Sequence, residues 1–417
     1  MFADLLDEGS WVDARIDTAI PDRTPIPKPD IRKMMFPLGP VVVFGASNFP
    51  LAFSTAGGDT ASALAAGCPV IVKAHPAHQD TSALVAKAIS RAVGTSGLPP
   101  ATFQHAIGDI PLAQSLVAHP LTRAVGFTGS HLAGTTLLDI AHRRQEPIPI
   151  FAEMGSVNPQ VILPDALATK AEQVATALAG SITLVVGQFC TNPGLIFVTE
   201  SPDLEPFLQI LARSIAAVAS APMLTDSIAD TYALKLRRSL QTKGVTILST
   251  GAEGKPGYGT SAIARVSATD FMAQPNLADE VFGPYSLVVV CSNRQELIKT
   301  LNSLKGQLTA SIWATDKELM SETDVFESLT DRVGRMIVNA APTGVEVCPS
   351  MQHGGPFPAT TDPRFTSVGT DAIRRFVRPV AFQNTPQSML PAELHDANPH
   401  GIMRLVNGTF TRDPISR

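Results

Sequence analysis

The chain has 417 residues, of which 44% are apolar and 17% are charged, and its formal net charge is −5. This length suggests roughly two or three domains, and the composition excludes a protein that is disordered throughout. Because no segment is strongly basic and no stretch is apolar enough to span a bilayer, we expect neither nucleic acid nor a membrane as a partner.

Strand-like and helix-like segments alternate along the chain after a proline-rich start. Residues 21–40 hold six prolines and predict an extended ribbon. Short apolar runs predict strands at Val41–Phe44, Val70–Val72, Ala124–Phe127, Ile148–Ala152, Val161–Leu163, Leu195–Val198, Val245–Leu248, Ser286–Val290, Thr309–Trp313 and Met336–Asn339, with an edge strand in Ile402–Phe410. Helical patterns predict helices at Leu51–Ala66, Ser82–Val93, Leu132–His142 and Leu167–Val186. This alternation predicts an α/β fold with parallel sheets covered on both faces by helices.

Several common motifs and compartment signals are missing from the sequence. It contains no GxGxxG, GxxxxGK[ST], GxSxG or HExxH. His75 and His78 have a possible ligand spacing, but Pro76 lies between them and no other Cys/His cluster is near, so we predict no metal site. The polar start MFADLLDEGS is unlike a secretory signal, and the cysteines form no CxxC pair. We therefore expect a cytoplasmic protein without a disulfide scaffold.

Two segments follow predicted strands of the first half of the chain, where open α/β sheets bind ligands. In FGASNFP the amide of Asn48 could stabilise a developing oxyanion, or Asn48 could only cap the next helix. In the second segment, Gly129, Ser130 and Gly134 lie at a strand–turn–helix junction. That junction could bind phosphate at the helix N-terminus, or it could be an ordinary connection.

Two further segments carry groups that could react. Glu153, in FAEMGSVNP, ends an apolar strand, where burial would raise its pKa toward the range of a general base, or a salt bridge could satisfy it. Cys190, in GQFCTNPG, lies in a glycine-flanked loop that could expose a reactive thiolate to backbone donors. The alternative for Cys190 is a buried, inert thiol.

These four segments in this order, followed by EVFGP at residues 280–284, resemble the NAD(P)-dependent aldehyde dehydrogenase superfamily. The resemblance runs from about Trp11 to Phe382. Within the superfamily, the segments look most like bacterial 2,5-dioxovalerate (α-ketoglutaric semialdehyde) dehydrogenases. NADP-dependent long-chain aldehyde dehydrogenases are the nearest rivals.

The resemblance implies a role for each candidate residue. Cys190 would be the nucleophile, Asn48 and the backbone N–H of Cys190 would form the oxyanion hole, and Glu153 would activate the water that releases the product. The implied cofactor is NADP or NAD. Lys73 and Glu280 would hold its ribose hydroxyls, and Phe282 would pack near its nicotinamide. The helix start formed by Gly129, Ser130 and Gly134 would lie near its pyrophosphate. Pro76 occupies a position where NAD-preferring relatives commonly have Glu, so we expect NADP to be used at least as well as NAD.

The resemblance also implies an organisation for the chain. We expect an interface ribbon and linker at residues 1–36, a dinucleotide-binding domain at 37–155, a catalytic domain at 156–375, and an interface strand with a tail at 376–417. The ribbon at Trp11–Met35 and the strand at Val377–Gln383 lead us to expect a homodimer or homotetramer. A segment that precedes Trp11 in typical members is absent, so the dinucleotide-binding domain is expected to be incomplete.

The expected reaction is oxidation of a small-molecule aldehyde, 2,5-dioxovalerate, to 2-oxoglutarate through a cysteine thiohemiacetal and a thioester. Arg364 is our candidate for binding the substrate carboxylate, although it could instead pair with Asp362 or Asp371. Three alternatives stay open. They are a long-chain or broad-range aldehyde dehydrogenase, an inactive fragment, and an acyl-transfer enzyme with a coenzyme A or phosphopantetheine site.

Overall fold

The computed structural model describes residues 1–416. Its strands are β1 (Arg15–Asp17), β2 (Ile31–Pro37), β3 (Val41–Phe44), β4 (Val70–Lys73), β5 (Phe103–Ala106), β6 (Ala124–Thr128), β7 (Ile150–Glu153), β8 (Gln160–Ile162), β9 (Leu195–Thr199), β10 (Ala221–Pro222), β11 (Thr246–Thr250), β12 (Tyr258–Gly259), β13 (Ala262–Ser267), β14 (Tyr285–Cys291), β15 (Gln307–Trp313), β16 (Val333–Val338), β17 (Val377–Gln383), β18 (Arg404–Val406) and β19 (Thr409–Thr411). Its α-helices are α1 (Phe2–Glu8), α2 (Gly58–Ala65), α3 (Gln79–Thr95), α4 (Ile110–Ala118), α5 (His131–His142), α6 (Pro164–Thr183), α7 (Leu204–Ala216), α8 (Asp226–Leu240), α9 (Ala268–Ala273), α10 (Arg294–Asn302), α11 (Asp316–Ser321) and α12 (Thr323–Thr330). None of these helices is both long enough and apolar enough to cross a bilayer.

The first half of the chain builds a five-stranded parallel sheet in the order β5-β4-β3-β6-β7. All four residues of β3 are buried, as expected for β-branched residues in a strand that is covered on both faces. Because the strands are parallel, their carboxyl ends lie at one edge of the sheet. Asn48, Lys73, Gly129 and Glu153 end or follow four of these strands, so the fold brings all four to this edge.

The predicted helix at Leu51–Ala66 is wrong in its first turns, since α2 begins only at Gly58. The preceding residues form a turn against the exit of β3. The backbone N–H of Ala46 donates to the carbonyl of Phe53 at 2.7 Å, and a Cβ at Gly45 would lie 2.5 Å from the Cα of Ser54. Tertiary contact therefore overrides the helix propensity of this alanine-rich segment.

A seven-stranded sheet, in the order β11-β13-β14-β9-β8-β15-β16, forms the second layer. It is parallel except at β11, which pairs antiparallel with β13 at one edge. The predicted helix at Leu167–Val186 is α6, which ends at Thr183 and is followed by a 3₁₀ turn, Leu184–Gly187. Val185 and Val186 in this turn have φ values of 48° and 55°, which is rare for β-branched residues.

A third sheet, in the order β17-β2-β1-β18-β19, joins the two ends of the chain. The predicted strand at Val377–Gln383 pairs with β2 of the same chain. The predicted edge strand at Ile402–Phe410 is instead a hairpin, β18–β19, because Asn407 and Gly408 adopt positive φ values of 49° and 85° and turn the chain.

The segment between β16 and β17 returns to the first sheet. Glu153 forms a β-bridge with Thr360, and the N–H of Met154 donates to the carbonyl of Ala359 at 2.8 Å. Further along, the guanidinium of Arg375 pairs with Asp59 at 2.8 Å. This return places residues 353–367 beside the carboxyl end of β7.

Candidate active site

The loop that carries Cys190 is held by buried amides and by one glycine. The Nδ2 of Asn158 donates to the carbonyls of Cys190 at 2.8 Å and Asn192 at 2.9 Å. Asn192 in turn donates to the carbonyl of Gly283 at 3.0 Å. Gly187 has φ 64°, and a Cβ there would lie 2.3 Å from the backbone of Gly283, so a glycine is required. The loop is thus fixed against residues 280–284 with the thiol of Cys190 half-buried.

Cys190, His353 and Glu153 form one cluster. His353 Nε2 lies 3.5 Å from Cys190 Sγ and 3.0 Å from Glu153 Oε1, while the hydroxyl of Ser367 donates to Glu153 Oε2 at 2.5 Å. His353 is 1% exposed and Glu153 is 4% exposed. Since Nε2 faces both the thiol and the carboxylate, protons can be exchanged among the three groups.

The surroundings shift the pKa values of the thiol and the carboxyl in opposite directions. Burial raises the pKa of Glu153, but His353 and Ser367 stabilise the carboxylate, and the net pKa lies below its usual value. The expected upward shift of the Glu153 pKa is therefore wrong, because these partners outweigh desolvation. Burial and the negative charge of Glu153 raise the pKa of Cys190 well above its usual value, so the thiol rests protonated.

Asn48 contacts the cysteine loop. Its Nδ2 donates to the carbonyl of Gln188 at 2.7 Å. Gln188 is itself held, because its side chain donates to the carbonyl of Val185 and accepts from the N–H of Leu224. The Asn48 amide carries two N–H donors, and this contact uses one of them.

Lys73, His75 and His78 share the carboxyl-end edge of the first sheet. Burial lowers the pKa of Lys73, and within residues 1–416 its ammonium forms no ion pair. Burial and the neighbouring charges of His78 and Lys73 lower the pKa of His75 to about 4. His75 is therefore neutral at pH 7, and its Nδ1 accepts from the N–H of Ala77 at 3.1 Å. His78 Nε2 donates to the carbonyl of Ala46 at 3.0 Å, whereas its buried Nδ1 has no partner among the described residues.

Ser130 caps helix α5, with its hydroxyl accepting from the N–H of Ala133 at 3.3 Å, and Gly129 precedes it. Gly134 has a packing role, since a Cβ there would lie 2.7 Å from the sulfur of Met154. The structure thus places Gly134 inside the helix–strand contact and leaves Gly129 and Ser130 at the exposed helix start.

Glu280 and Phe282 lie on the segment that packs against the cysteine loop. Glu280 accepts weakly from the N–H of Ser156 at 3.4 Å, and a Cβ at Gly155 would lie 2.3 Å from its carboxylate. Burial raises the pKa of Glu280 to about 7, although Lys235 partly opposes this shift. Phe282 is half-buried two residues further along.

These residues fit an anionic dinucleotide. Lys73, whose ammonium has no ion-pair partner among residues 1–416, and the N-terminus of α5 lie at one sheet edge. Exposed apolar side chains occupy the same edge, with Leu132 in the first turn of α5 76% exposed and Ile110 in the first turn of α4 72% exposed. The edge therefore offers charge complementarity to phosphate and apolar surface to a base.

The structure does not bring Arg364 to this cluster. Arg364 is 78% exposed and forms a bidentate pair with Asp362, at 2.8 and 2.5 Å, as in the structural alternative. A different cation, Arg335 on β16, is partly buried, and burial lowers the pKa of its guanidinium. Arg335 donates to the carbonyl of Pro342 at 2.8 Å, and its buried Nε has no partner among the residues that the structure describes.

Sequence reasoning missed His353 and Ser367. They lie 163 residues from Cys190 and 214 residues from Glu153 along the chain, respectively. A buried His before a Gly-Gly pair in QHGGPFP is the only local signal, and it is weak without knowledge of the fold.

Two curated relatives resemble nearly the whole chain. Over 412 residues the chain is 48% identical to alpha-ketoglutaric semialdehyde dehydrogenase 2 of Azospirillum brasilense, covering 98% of this chain and 78% of that protein. Over 417 residues it is 45% identical to alpha-ketoglutaric semialdehyde dehydrogenase of Acinetobacter baylyi, covering 99% of this chain and 79% of that protein.

Solved structures confirm the predicted fold class. The glyceraldehyde-3-phosphate dehydrogenase GapN from Methanocaldococcus jannaschii, complexed with NADP, matches with a TM-score of 0.74 at 18% identity, covering 92% of this chain and 78% of that one. A 3,6-anhydro-L-galactose dehydrogenase matches with a TM-score of 0.75 at 22% identity, covering 92% and 76%. The aldehyde dehydrogenase family profile matches residues 14–356. The chain therefore belongs to the aldehyde dehydrogenase family.

Proposed function

We propose that this protein oxidises 2,5-dioxovalerate to 2-oxoglutarate with NADP or NAD. The observation that carries the reaction type is the contact of Cys190 with His353 and Glu153, a nucleophile beside two proton-accepting groups. The substrate is proposed from the 48% and 45% identity to proteins named for α-ketoglutaric semialdehyde, the same compound.

Catalysis begins at the thiol, because an aldehyde carries no leaving group until a nucleophile makes its carbon tetrahedral. The proton of Cys190 passes to the His353–Glu153 pair, and the thiolate attacks the carbonyl carbon to form a thiohemiacetal. The second N–H of Asn48 and the backbone N–H of Cys190 stabilise the oxyanion. One such donor is typically worth about 10²–10³ in rate.

When bound, NAD(P)⁺ would supply the acceptor for the hydride of the thiohemiacetal. Lys73 and Glu280 would hold its ribose hydroxyls, and Phe282 would pack near its nicotinamide. Gly129 and Ser130 would offer backbone donors to its pyrophosphate at the start of α5, behind which Gly134 allows the close packing of that helix.

Product release requires water, since the oxidised acyl group stays on Cys190 as a thioester. Glu153 takes a proton from the attacking water, for which its lowered pKa keeps it ionised. Both carboxylate oxygens are engaged by His353 and Ser367, so one of these hydrogen bonds must give way to the water.

The distal carboxylate of the substrate needs a cation, and two arginines are available. Arg364 is the prediction from sequence, and its pairing with Asp362 weakens its case. Arg335 is the second candidate, because it is partly buried and its buried Nε has no hydrogen-bond partner among the described residues. Paired Arg364→Ala and Arg335→Met variants would separate the two. Substitution of the arginine that binds the carboxylate should raise the KM for 2,5-dioxovalerate more than the KM for hexanal.

The rest of the predicted organisation is part of the same proposal. The division at residues 36, 155 and 375 and a homodimer or homotetramer built on the sheet that contains β2 and β17 follow from the resemblance. The cytoplasmic location follows from the polar start and from cysteines that form no CxxC pair. Light scattering measures the oligomeric state, and a monodisperse monomer would exclude the proposed homodimer or homotetramer.

The experiment on function uses purified protein with NADP or NAD and a panel of 2,5-dioxovalerate, succinic semialdehyde and hexanal. We expect one 2-oxoglutarate for each reduced cofactor and the highest kcat/KM for 2,5-dioxovalerate. A preference for hexanal would favour the long-chain alternative, and no turnover of any aldehyde would favour an inactive fragment. Acyl transfer to coenzyme A in place of hydrolysis would favour the third alternative.

A further inference from the structure

The sequence predicts no metal site, because no ligand cluster occurs along the chain. The folded chain nevertheless collects a thiol, an imidazole and a carboxylate from three distant segments. One ligand atom each from Cys190, His353 and Glu153 lies within 4.8 Å of the other two. These are the three ligand types that proteins use for Zn²⁺.

Two of the three separations are close to those around a tetrahedral ion, and the third, between the thiol sulfur and the carboxylate oxygen, is within 4.8 Å. Zn–S and Zn–N distances of about 2.3 and 2.0–2.1 Å imply a sulfur–nitrogen separation of about 3.6 Å and a nitrogen–oxygen separation of about 3.3 Å. Cys190 Sγ and His353 Nε2 are 3.5 Å apart, and His353 Nε2 and Glu153 Oε1 are 3.0 Å apart. Small side-chain rotations would bring all three atoms into a first coordination shell.

We infer that Zn²⁺ binds reversibly between Cys190, His353 and Glu153 and inhibits the protein. On binding, the thiol of Cys190 loses its proton to solvent as the Zn–S bond forms, and no electron is transferred. His353 Nε2 and Glu153 Oε1 are the other two protein ligands, and water takes the fourth position. Inhibition follows because the ion occupies the groups that move protons in the proposed function. The inhibition, though not the binding, rests on that function.

The surroundings of the three groups predict how tightly the ion is held. The hydroxyl of Ser367 supports the second carboxylate oxygen of Glu153 at 2.5 Å, as outer-shell groups do in metal sites. His353 Nδ1 is buried and has no hydrogen-bond partner among the described residues, whereas a metal-bound imidazole usually donates its other N–H. This missing support predicts an inhibitory site that a chelator empties, weaker than a structural zinc site.

Binding is measured first with the metal alone. Equilibrium dialysis of the purified, cofactor-free protein against Zn²⁺ is expected to give one ion for each chain. Co²⁺ as a spectroscopic substitute is expected to give a thiolate-to-metal charge-transfer band in the near ultraviolet. Zn²⁺ is also expected to abolish aldehyde oxidation at the same stoichiometry, and EDTA to restore it.

Variants assign the ligands. His353→Gln is expected to raise the Kd for Zn²⁺ by more than about 100-fold, and Cys190→Ser to remove the charge-transfer band. Circular dichroism and NADP binding of both variants show that they are folded. Cys348→Ser, at another half-buried thiol, is the matched control and should change neither quantity. A band lost in Cys348→Ser, a Kd unchanged in His353→Gln, or binding without inhibition would overturn the inference.

Discussion

The catalytic cluster and the cofactor edge use their titratable groups in opposite ways. In the cluster, Cys190, His353 and Glu153 are partners of one another and come from segments that are distant in sequence. At the edge, Lys73 has no ion pair and His78 Nδ1 has no hydrogen-bond partner within the described part of the chain, residues 1–416.

The two regions therefore depend on different partners for their function. The cluster is preorganised, because the partners of each reacting group are already in place, so the loss of one member should block the step of the reaction that this member performs. The cofactor edge depends on a bound ligand, because Lys73 is partly desolvated there and forms no ion pair within residues 1–416. Substitutions at the edge should therefore alter cofactor choice and affinity while the chemistry continues.

Cys190→Ser should reduce aldehyde oxidation by at least about 10⁴-fold, since a serine hydroxyl is far harder to ionise than a thiol. Cofactor binding, measured by fluorescence titration, should stay nearly unchanged. Cys348→Ser is the matched control and should keep its activity. If the Cys190→Ser protein kept more than about a hundredth of the activity, Cys190 would not be the nucleophile.

Glu153→Gln should lower steady-state turnover by about 10²–10⁴-fold while acylation continues, because the amide cannot take a proton from water. Stopped-flow absorbance should show a single burst whose amplitude is close to one reduced cofactor for each protein chain. Glu280→Gln, at the half-buried carboxyl of the segment that packs against the cysteine loop, should show no such burst. Steady turnover of Glu153→Gln without a burst would assign the water-activating role to another group.

Pro76→Glu should lower kcat/KM for NADP by about 10-fold or more and change the value for NAD far less. A carboxylate three residues after Lys73 would repel a 2′-phosphate and accept ribose hydroxyls. Pro76→Ala is the control variant, because it removes the pyrrolidine ring without adding a carboxylate. The unmodified protein should use NADP at least as well as NAD. A tenfold preference for NAD in that protein would mean that Pro76 only shapes the loop.

The KM for cofactor should fall several-fold as the pH rises from about 6 to 8, because the pKa of Glu280 is raised to about 7. Below this pKa the carboxyl is protonated and accepts ribose hydroxyls poorly; above it, the carboxylate accepts them well. NAD is the right probe, since it lacks the titrating 2′-phosphate. Glu280→Gln should remove the dependence, and a dependence that survives in this variant would exclude Glu280 as its source.

The sequence alone predicts those features that depend on residues adjacent along the chain. Each buried strand of the first sheet except β5 is visible as a β-branched or apolar run, and Asn48, Glu153 and Cys190 are carried by contiguous motifs. The start of α2 was not predictable, because the contact of Phe53 with Ala46 decides it.

The parts that depend on long-range contacts escaped sequence reasoning. His353 approaches Glu153 only because the segment after β16 returns to β7, 200 residues along the chain. The direction of the Glu153 pKa shift depends on that same contact, since burial alone gives the opposite sign. A thiol–imidazole–carboxylate site assembled in this way leaves no spacing pattern to detect.

The most direct test of the account is mass spectrometry of the Glu153→Gln protein after a single turnover with 2,5-dioxovalerate and NADP. The account predicts a 2-oxoglutaryl thioester on Cys190 and on no other cysteine, with one reduced cofactor for each acylated chain. Reduced cofactor without an adduct on Cys190, or an adduct on Cys348, would contradict it.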